Sequence, residues 1–463
     1  MTIGIIIFSI LFVVLSWTRL NLALLFIIAT LPSYLIRFNI LSIPSTLLEL
    51  MIIIAFAVWI IKNIIPHFRS WILNRKNRVP YPFSWEIIAL VILSFIAVGV
   101  SGFELSALGT WKAYFFEPIV LFILLLNVFH KRKDWQKILW ALLISAITVS
   151  FLAIYQKITG HYIFNEFWAN AETRRVVSWF GYPNAIGLYL APLIMLFIGW
   201  FFYLPKRTNI SKSIQKLLII LIAFTSALSI YFAKSEGALI GLVAALGVFG
   251  LLAHKKARTI TLTLAIVAAI TISLYPPGQS YVMEKFRLED LSGQIRQQQW
   301  QETWQMLQDG RILSGTGLNN YQEAIDSYHQ EGIFYNSDNI EDFDSRLYGS
   351  AELRAKYWQP VEVYLYPHNI FLNFWSELGL LGALLFVWII AKYFAIAYRL
   401  LRKYQKENSK NRYIMLGLIG AMTTIVVHGL VDVPYFKNDL SIIFWILLAL
   451  LSFFKLRKEL KHN

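Results

Sequence analysis

Residues 217–258 read LLIILIAFTSALSIYFAKSEGALIGLVAALGVFGLLAHKKAR. Two apolar runs, 214–232 and 236–253, are separated by a very short polar turn and closed by a basic cluster. Each run has about the 18 to 20 residues that an α-helix needs to cross a hydrocarbon core. The stretch therefore reads as two membrane spans joined by a tight turn, with its lysines and arginine beyond the second.

The same pattern fills most of the chain. Further apolar runs lie near 3–18, 20–37, 45–65, 85–101, 111–129, 136–156, 184–203, 259–275, 369–398, 412–430 and 440–454. Of 463 residues 57% are hydrophobic, and the mean hydropathy is +0.56, values foreign to soluble globular domains. The fold class is all-α: a polytopic transmembrane helical bundle of about 12–13 spans, the number depending on whether 3–18 and 20–37 are separate. The opening MTIGIIIFSILFVVLSW has neither the basic start nor the small-residue cleavage site of a secretory signal, and reads as a retained span. No cysteine is present, which excludes a disulfide framework and thiolate metal sites.

Charge sets the orientation. Basic segments at 63–78, 130–137, 205–216, 254–258, 399–412 and 455–462 all fall on one side of these spans, and the positive-inside rule makes that side cytoplasmic. Segments 157–183, 276–367 and 431–439 are then external and the C-terminus internal. The stretch 276–366 has 7 Lys and Arg against 14 Asp and Glu, whereas the whole chain has 42 and 27. Three regions follow: N-terminal spans 1–275, one large extracytoplasmic loop 276–367 with short helices, and C-terminal spans with a basic tail, 368–463. The net charge of +15 reflects topology and membrane lipids rather than nucleic acid, because no basic groove interleaved with aromatics occurs.

The informative residues are polar groups on the outer side that topology does not require. In ETRRVVSWFGYPNAIGLYLAPL, 172–193, Arg174 and Arg175 precede Pro183-Asn184, which opens an apolar helix; lipid headgroups are one target for the arginines and an anionic ligand another. In 292–325, Arg296, Trp300, Trp304 and Leu307 recur at helical spacing, which predicts an amphipathic helix at the outer interface with tryptophans at headgroup depth. The Ser-Gly-Thr-Gly that follows is a turn. Pro367-His368-Asn369 opens the helix over 369–398, and His368 is either a cap or a proton-transfer group. In HGLVDVPYF, 428–436, His428 and Asp432 share a helical face. An Asp at membrane depth costs about 2.5–3.5 kcal/mol on insertion scales, so such groups pair or line a cavity; a structural and a catalytic pair both fit. Lys234 and Glu236 sit in the short external turn. EDFD at 341–344, with its Asp342/Asp344 pair, reads as a solvated acidic loop, and no metal site is assigned.

His368-Asn369, nine residues, then Gly379-Leu380-Leu381-Gly382 resembles the H-[NSQ]-x9-G-x-x-G pattern of the O-antigen ligase and polymerase superfamily, bacterial membrane glycosyltransferases with about a dozen spans. Arg175 through Pro183-Asn184, and Arg296 with Trp300 ahead of the Gly-x-Gly turn, resemble further family segments. The resemblance spans roughly 85–455. One departure stands out: Ser235-Glu236-Gly237 occupies the place of a common Ser-Arg-Gly, and Lys234 is the nearby cation.

The resemblance implies a bacterial cytoplasmic-membrane enzyme whose donor is a polyprenyl-pyrophosphate-linked glycan and whose acceptor is a lipid or glycan hydroxyl. It needs no cofactor. His368 is then the general base, with Arg296 and Arg175 stabilising pyrophosphate. Arg174, Asn184, Trp300, Asn369, Lys234, His428 and Asp432 become substrate-binding candidates. Gly379 and Gly382 would permit close helix packing, and Glu377, about 13 Å along the helix from His368, would be an interhelical hydrogen-bonding group. A polysaccharide polymerase and a protein O-oligosaccharyltransferase share this chemistry. A lipid-linked glycan flippase is the rival outside the enzyme class, although no internal repeat supports it.

Overall fold

The computed structural model describes residues 2–40, 43–66, 81–129, 134–204 and 210–459. The basic segments 63–78, 130–137, 205–216 and 455–462 extend outside them. Among the described residues ten helices are long and apolar enough to cross a membrane. The shorter Ser84–Val100 and the largely buried Asn411–His428 pack beside them. The chain is an all-α, multi-pass helical membrane protein.

Its centre is formed by Asn184–Tyr203, Asn411–His428 and Asn438–Glu459, whereas Lys255–Leu274 buries no residue and lies at the rim. The first two centre helices touch through glycine: a Cβ on Gly199 would come within 2.6 Å of the Tyr413 carbonyl and 2.8 Å of the Gly417 Cα. Lipid supplies no hydrophobic drive between helices, so backbones that approach this closely gain dispersion and packing instead.

The apolar pattern hides two chain reversals. Helix Thr2–Ala29 is interrupted by non-helical Arg19. The rings of Phe8 and Phe26 lie 6.2 Å apart, although a continuous helix would separate them by about 27 Å. Segments 3–18 and 20–29 are therefore antiparallel partners, which accounts for the two adjacent N-terminal runs.

The second reversal alters the expected helix over 369–398. Helix Ile370–Lys406 breaks at Gly379, with φ 73° and ψ −179°. Phe374 and Phe386 stack at 3.8 Å, where about 18 Å of continuous helix would intervene. Gly379 thus turns the chain rather than packing two helices. A Cβ there would collide with the Leu313 carbonyl. Gly382 faces Leu378 of its own chain segment, again not a second helix.

Into this corner fits the turn after helix Leu291–Gln308. Thr316 N–H donates to the Ser376 carbonyl at 2.6 Å and Leu380 N–H to that of Ile312 at 3.2 Å. The Glu377 carboxylate accepts from Asn319 N–H at 2.7 Å. That is the structural hydrogen-bonding role expected of Glu377, although its partner is a loop. Only glycine occupies this φ/ψ region without about 1–3 kcal/mol of strain, and the steric clash adds to it. Gly379→Ala is therefore expected to reduce the amount of folded protein in membranes and its melting temperature; accumulation and melting equal to wild type would refute the fold-back.

The connections segregate to two ends. At one, Gln405 donates to the carbonyls of Leu252 and Ala253, Trp135 packs on Tyr203 and Phe454, and Lys62 caps the Trp17 carbonyl. The other end carries the antiparallel pair Arg37–Ile40 and Ile43–Thr46, the 429–437 turn and the whole of 276–369. That long loop holds helices Pro276–Arg287, Leu291–Gln308, Tyr321–Ile325, Phe343–Gly349 and Ala351–Tyr357, with Gly332–Phe334 paired to Trp358–Pro360.

Candidate active site

The 428–432 turn, at the loop end of helix Asn411–His428, is the point on which the polar groups converge. Asp432 is buried at 2% exposure, with one oxygen 3.9 Å from His428 Nε2 and the other accepting from Val433 N–H. Asn184 donates to Asp432 at 3.4 Å and accepts from Arg175 at 3.2 Å, so Arg175, Asn184, Asp432 and His428 form one connected series. Arg175 Nε also donates to the Ala233 carbonyl at 3.0 Å.

From the other side comes helix Leu291–Gln308. Arg296 Nε donates to the Val431 carbonyl at 3.0 Å and Nη1 to Ser292. Nη1 of Arg175 and Nη2 of Arg296 have no hydrogen-bond partner among the described residues, which leaves N–H groups for an anion. The Trp300 indole N–H donates to the Pro367 carbonyl at 2.8 Å. Trp300 is therefore tied to the residue before His368, while Trp304, 41% exposed, packs edge-on against Trp375.

His368 lies between these groups. Asn369 caps the following helix by accepting from Phe371 and Leu372 N–H and donates to the Leu430 carbonyl; Ile370 N–H donates to that of Gly429. His368 itself has φ +43°, a left-handed conformation in which His, Asn and Asp are enriched among non-glycine residues. Its Nδ1 is 3.0 Å from Gln299 Oε1, and the rings of Tyr364 and Tyr366 stand 5.0 and 4.9 Å away. Because an amide oxygen accepts only, Nδ1 carries the ring proton and Nε2 keeps its lone pair. Burial holds the His368 pKa below the usual histidine range; Asp432 opposes this and the Arg296 charge reinforces it. The imidazole is thus kept neutral at physiological pH, with the Nε2 lone pair available.

Two residues singled out in the sequence stand apart. Arg174 spends its guanidinium on the carbonyls of Ala169 and Lys157, and Lys234, exposed and left-handed, donates to Thr173. Both brace the 172–178 segment without reaching the 428–432 turn. Glu236 pairs with Lys285 at 2.7 Å and accepts from Tyr281. Asp342 and Asp344 are exposed in the loop.

A family model described as O-antigen ligase matches residues 218–387. That segment of the chain is similar to the O-antigen ligase family. A search of curated proteins returned no match.

The matched segment contains Lys234, Arg296, Trp300, His368 and Asn369, whereas Arg175, Asn184, His428 and Asp432 are brought to it by the helices on either side. Sequence reasoning missed Gln299, Tyr364 and Tyr366 around the imidazole. Gln299 was accessible in principle, since it follows Arg296 by three residues and so shares its helical face. The tyrosines carried no signal beyond proximity to His368.

Proposed function

We propose that this protein transfers a glycan from polyprenyl pyrophosphate to an acceptor hydroxyl at the outer face of a bacterial cytoplasmic membrane, in the manner of an O-antigen ligase. The observation that carries the reading is the convergence on one turn, 428–432, of two arginines with unspent N–H groups and a neutral, half-buried histidine tied to it through Asn369 and Ile370. His368 Nε2 takes the proton of the acceptor hydroxyl as that oxygen attacks the anomeric carbon. The bond from that carbon to the pyrophosphate oxygen breaks, the leaving oxygen keeps the electron pair, and Arg175 and Arg296 neutralise its growing charge. Gln299 holds the ring in the required tautomer. In this reading 1–275 and 368–463 embed the enzyme and 276–367 is its extracytoplasmic unit.

That sidedness predicts labelling. The chain has no cysteine, so single cysteines at 256, 320 and 463 report cleanly. Position 320 should react with an impermeant maleimide in intact spheroplasts, and 256 and 463 only after permeabilisation; the reverse pattern would invert the topology.

Deletion of the gene tests the reaction. Loss of surface glycan with accumulation of full-length lipid-linked polymer supports ligation. Accumulation of single lipid-linked repeat units would instead identify a polymerase, and under-glycosylated protein with normal lipid-borne surface glycan a protein oligosaccharyltransferase. Lipid-linked precursor trapped on the cytoplasmic side would identify a flippase.

A further inference from the structure

A cavity of about 1510 Å³ opens at the loop end, away from Arg175 and Arg296. Its volume exceeds the roughly 300–1,000 Å³ of ordinary small-molecule pockets. Its walls differ in character. One is apolar, formed by Ile5 and Ile6 of the N-terminal helix, a helix that leaves Ile3, Ile10 and Leu11 exposed to the bilayer. The facing wall offers Asn39, Thr46, Ser106 and Thr110, with Arg37 and the Lys112–Glu49 ion pair beside them.

The inner wall joins the cavity to the candidate active site. Asn319 donates its N–H to Glu377 on the short helix that begins after His368. The carbonyl of Tyr114 accepts from Tyr435 in the turn after Asp432. Asn438 follows Lys437, whose ammonium lies 5.4 Å from the Tyr182 ring. Asn319 and Tyr114 are thus bonded to elements that hold His368 and Asp432, and Asn438 lies six residues along the chain from Asp432.

We propose that this cavity binds the acceptor, an amphiphile whose saccharide head enters among the amides and hydroxyls while its hydrocarbon stays in the bilayer along residues 3–10. The proposal rests on the transferase reading above and adds the place at which its second substrate binds. Amide and hydroxyl side chains match a polyhydroxylated head. The apolar wall facing lipid gives lateral access without extraction of the hydrocarbon into water. Neither Arg175 nor Arg296 lines the cavity, which leaves the donor pyrophosphate its own position.

The test uses an alkyl β-maltoside carrying a diazirine, photo-crosslinked to the full-length protein in lipid nanodiscs, with labelled peptides mapped by mass spectrometry. Labelling should concentrate in 3–10, 37–50 and 105–114. It should fall to the level of the lipid-facing helix 255–274 in Thr110→Trp and Ser106→Trp, which fill the cavity from one wall. It should persist in His368→Asn and in the presence of excess polyprenyl pyrophosphate. Gel filtration and melting of both Trp variants establish that they fold, and if either does not, Asn39→Trp from the strand Arg37–Ile40 replaces it. Uniform labelling of all lipid-facing helices, or equal labelling in the filled variants, would overturn the site. Displacement by polyprenyl pyrophosphate would overturn its assignment to the acceptor. Because the probe reports binding alone, these outcomes are independent of whether the gene deletion reveals a transferase.

Discussion

His368→Asn is expected to lower the transfer rate by about 10²–10⁴-fold, the usual contribution of a general base, while leaving donor binding intact. Asparagine is the informative replacement because it tolerates the left-handed backbone that His368 adopts, so the loss measures chemistry rather than a distorted turn. Residual turnover should rise with pH as acceptor hydroxyls ionise unaided. In the wild type the neutral imidazole is the active form. A pKa depressed by burial keeps that form present at lower pH, so kcat/KM should hold steady through about pH 6.5, the unperturbed histidine value, and fall only below it. An acidic limb at or above that value, or near-normal turnover by the variant, would remove His368 from the role of base. If chelation abolished activity and Mg²⁺ or Mn²⁺ restored it, the exposed Asp342/Asp344 pair would become the place to look.

The second large effect is expected at the arginines. Arg175→Lys and Arg296→Lys keep the charge but lose the planar fork, and with it the Nε donors to the Ala233 and Val431 carbonyls. Each should cost on the order of 10²–10³-fold in kcat/KM, as removal of one transition-state donor does. Unlike the histidine variant, these should also weaken binding of polyprenyl pyrophosphate. Wild-type kinetics in both would refute their assignment to the leaving group. Arg174→Lys serves as the contrast: its guanidinium serves the Ala169 and Lys157 carbonyls, so its effect should fall on stability and not on donor affinity.

Much of this architecture was legible in the residues because lipid imposes a simple demand, runs of apolar residues long enough to span. The reversal at Gly379 was not, since hydropathy is continuous across it and carries no sign of direction, and the one at Arg19 showed only as two adjacent runs whose separation stayed open. Gly379 was noticed for its spacing, but its positive φ arises from the docking of 312–316, a contact between segments some 65 residues apart. At the site, His368, Arg175, Arg296 and Asp432 stood out as polar groups that topology left unexplained. Gln299 did not, because a neutral amide in the run Gln297-Gln298-Gln299 is ordinary on a helix, and only the fold shows that it faces an imidazole.

The fold-back at Gly379 separates two demands that a single long helix would have coupled. Residues 380–406 would extend about 40 Å as a helix, more than the roughly 30 Å of a hydrocarbon core, and such a span adapts to local thickness by tilting. His368 is anchored elsewhere: the hydrogen bonds around it run to Gln299, Gly429 and Leu430, and those at the far end of 370–378 to Ile312, Thr316 and Asn319. The imidazole is thus referenced to the loop and to the neighbouring turn, so bilayers of different thickness can reorient the long span while His368 and the 428–432 turn keep their register.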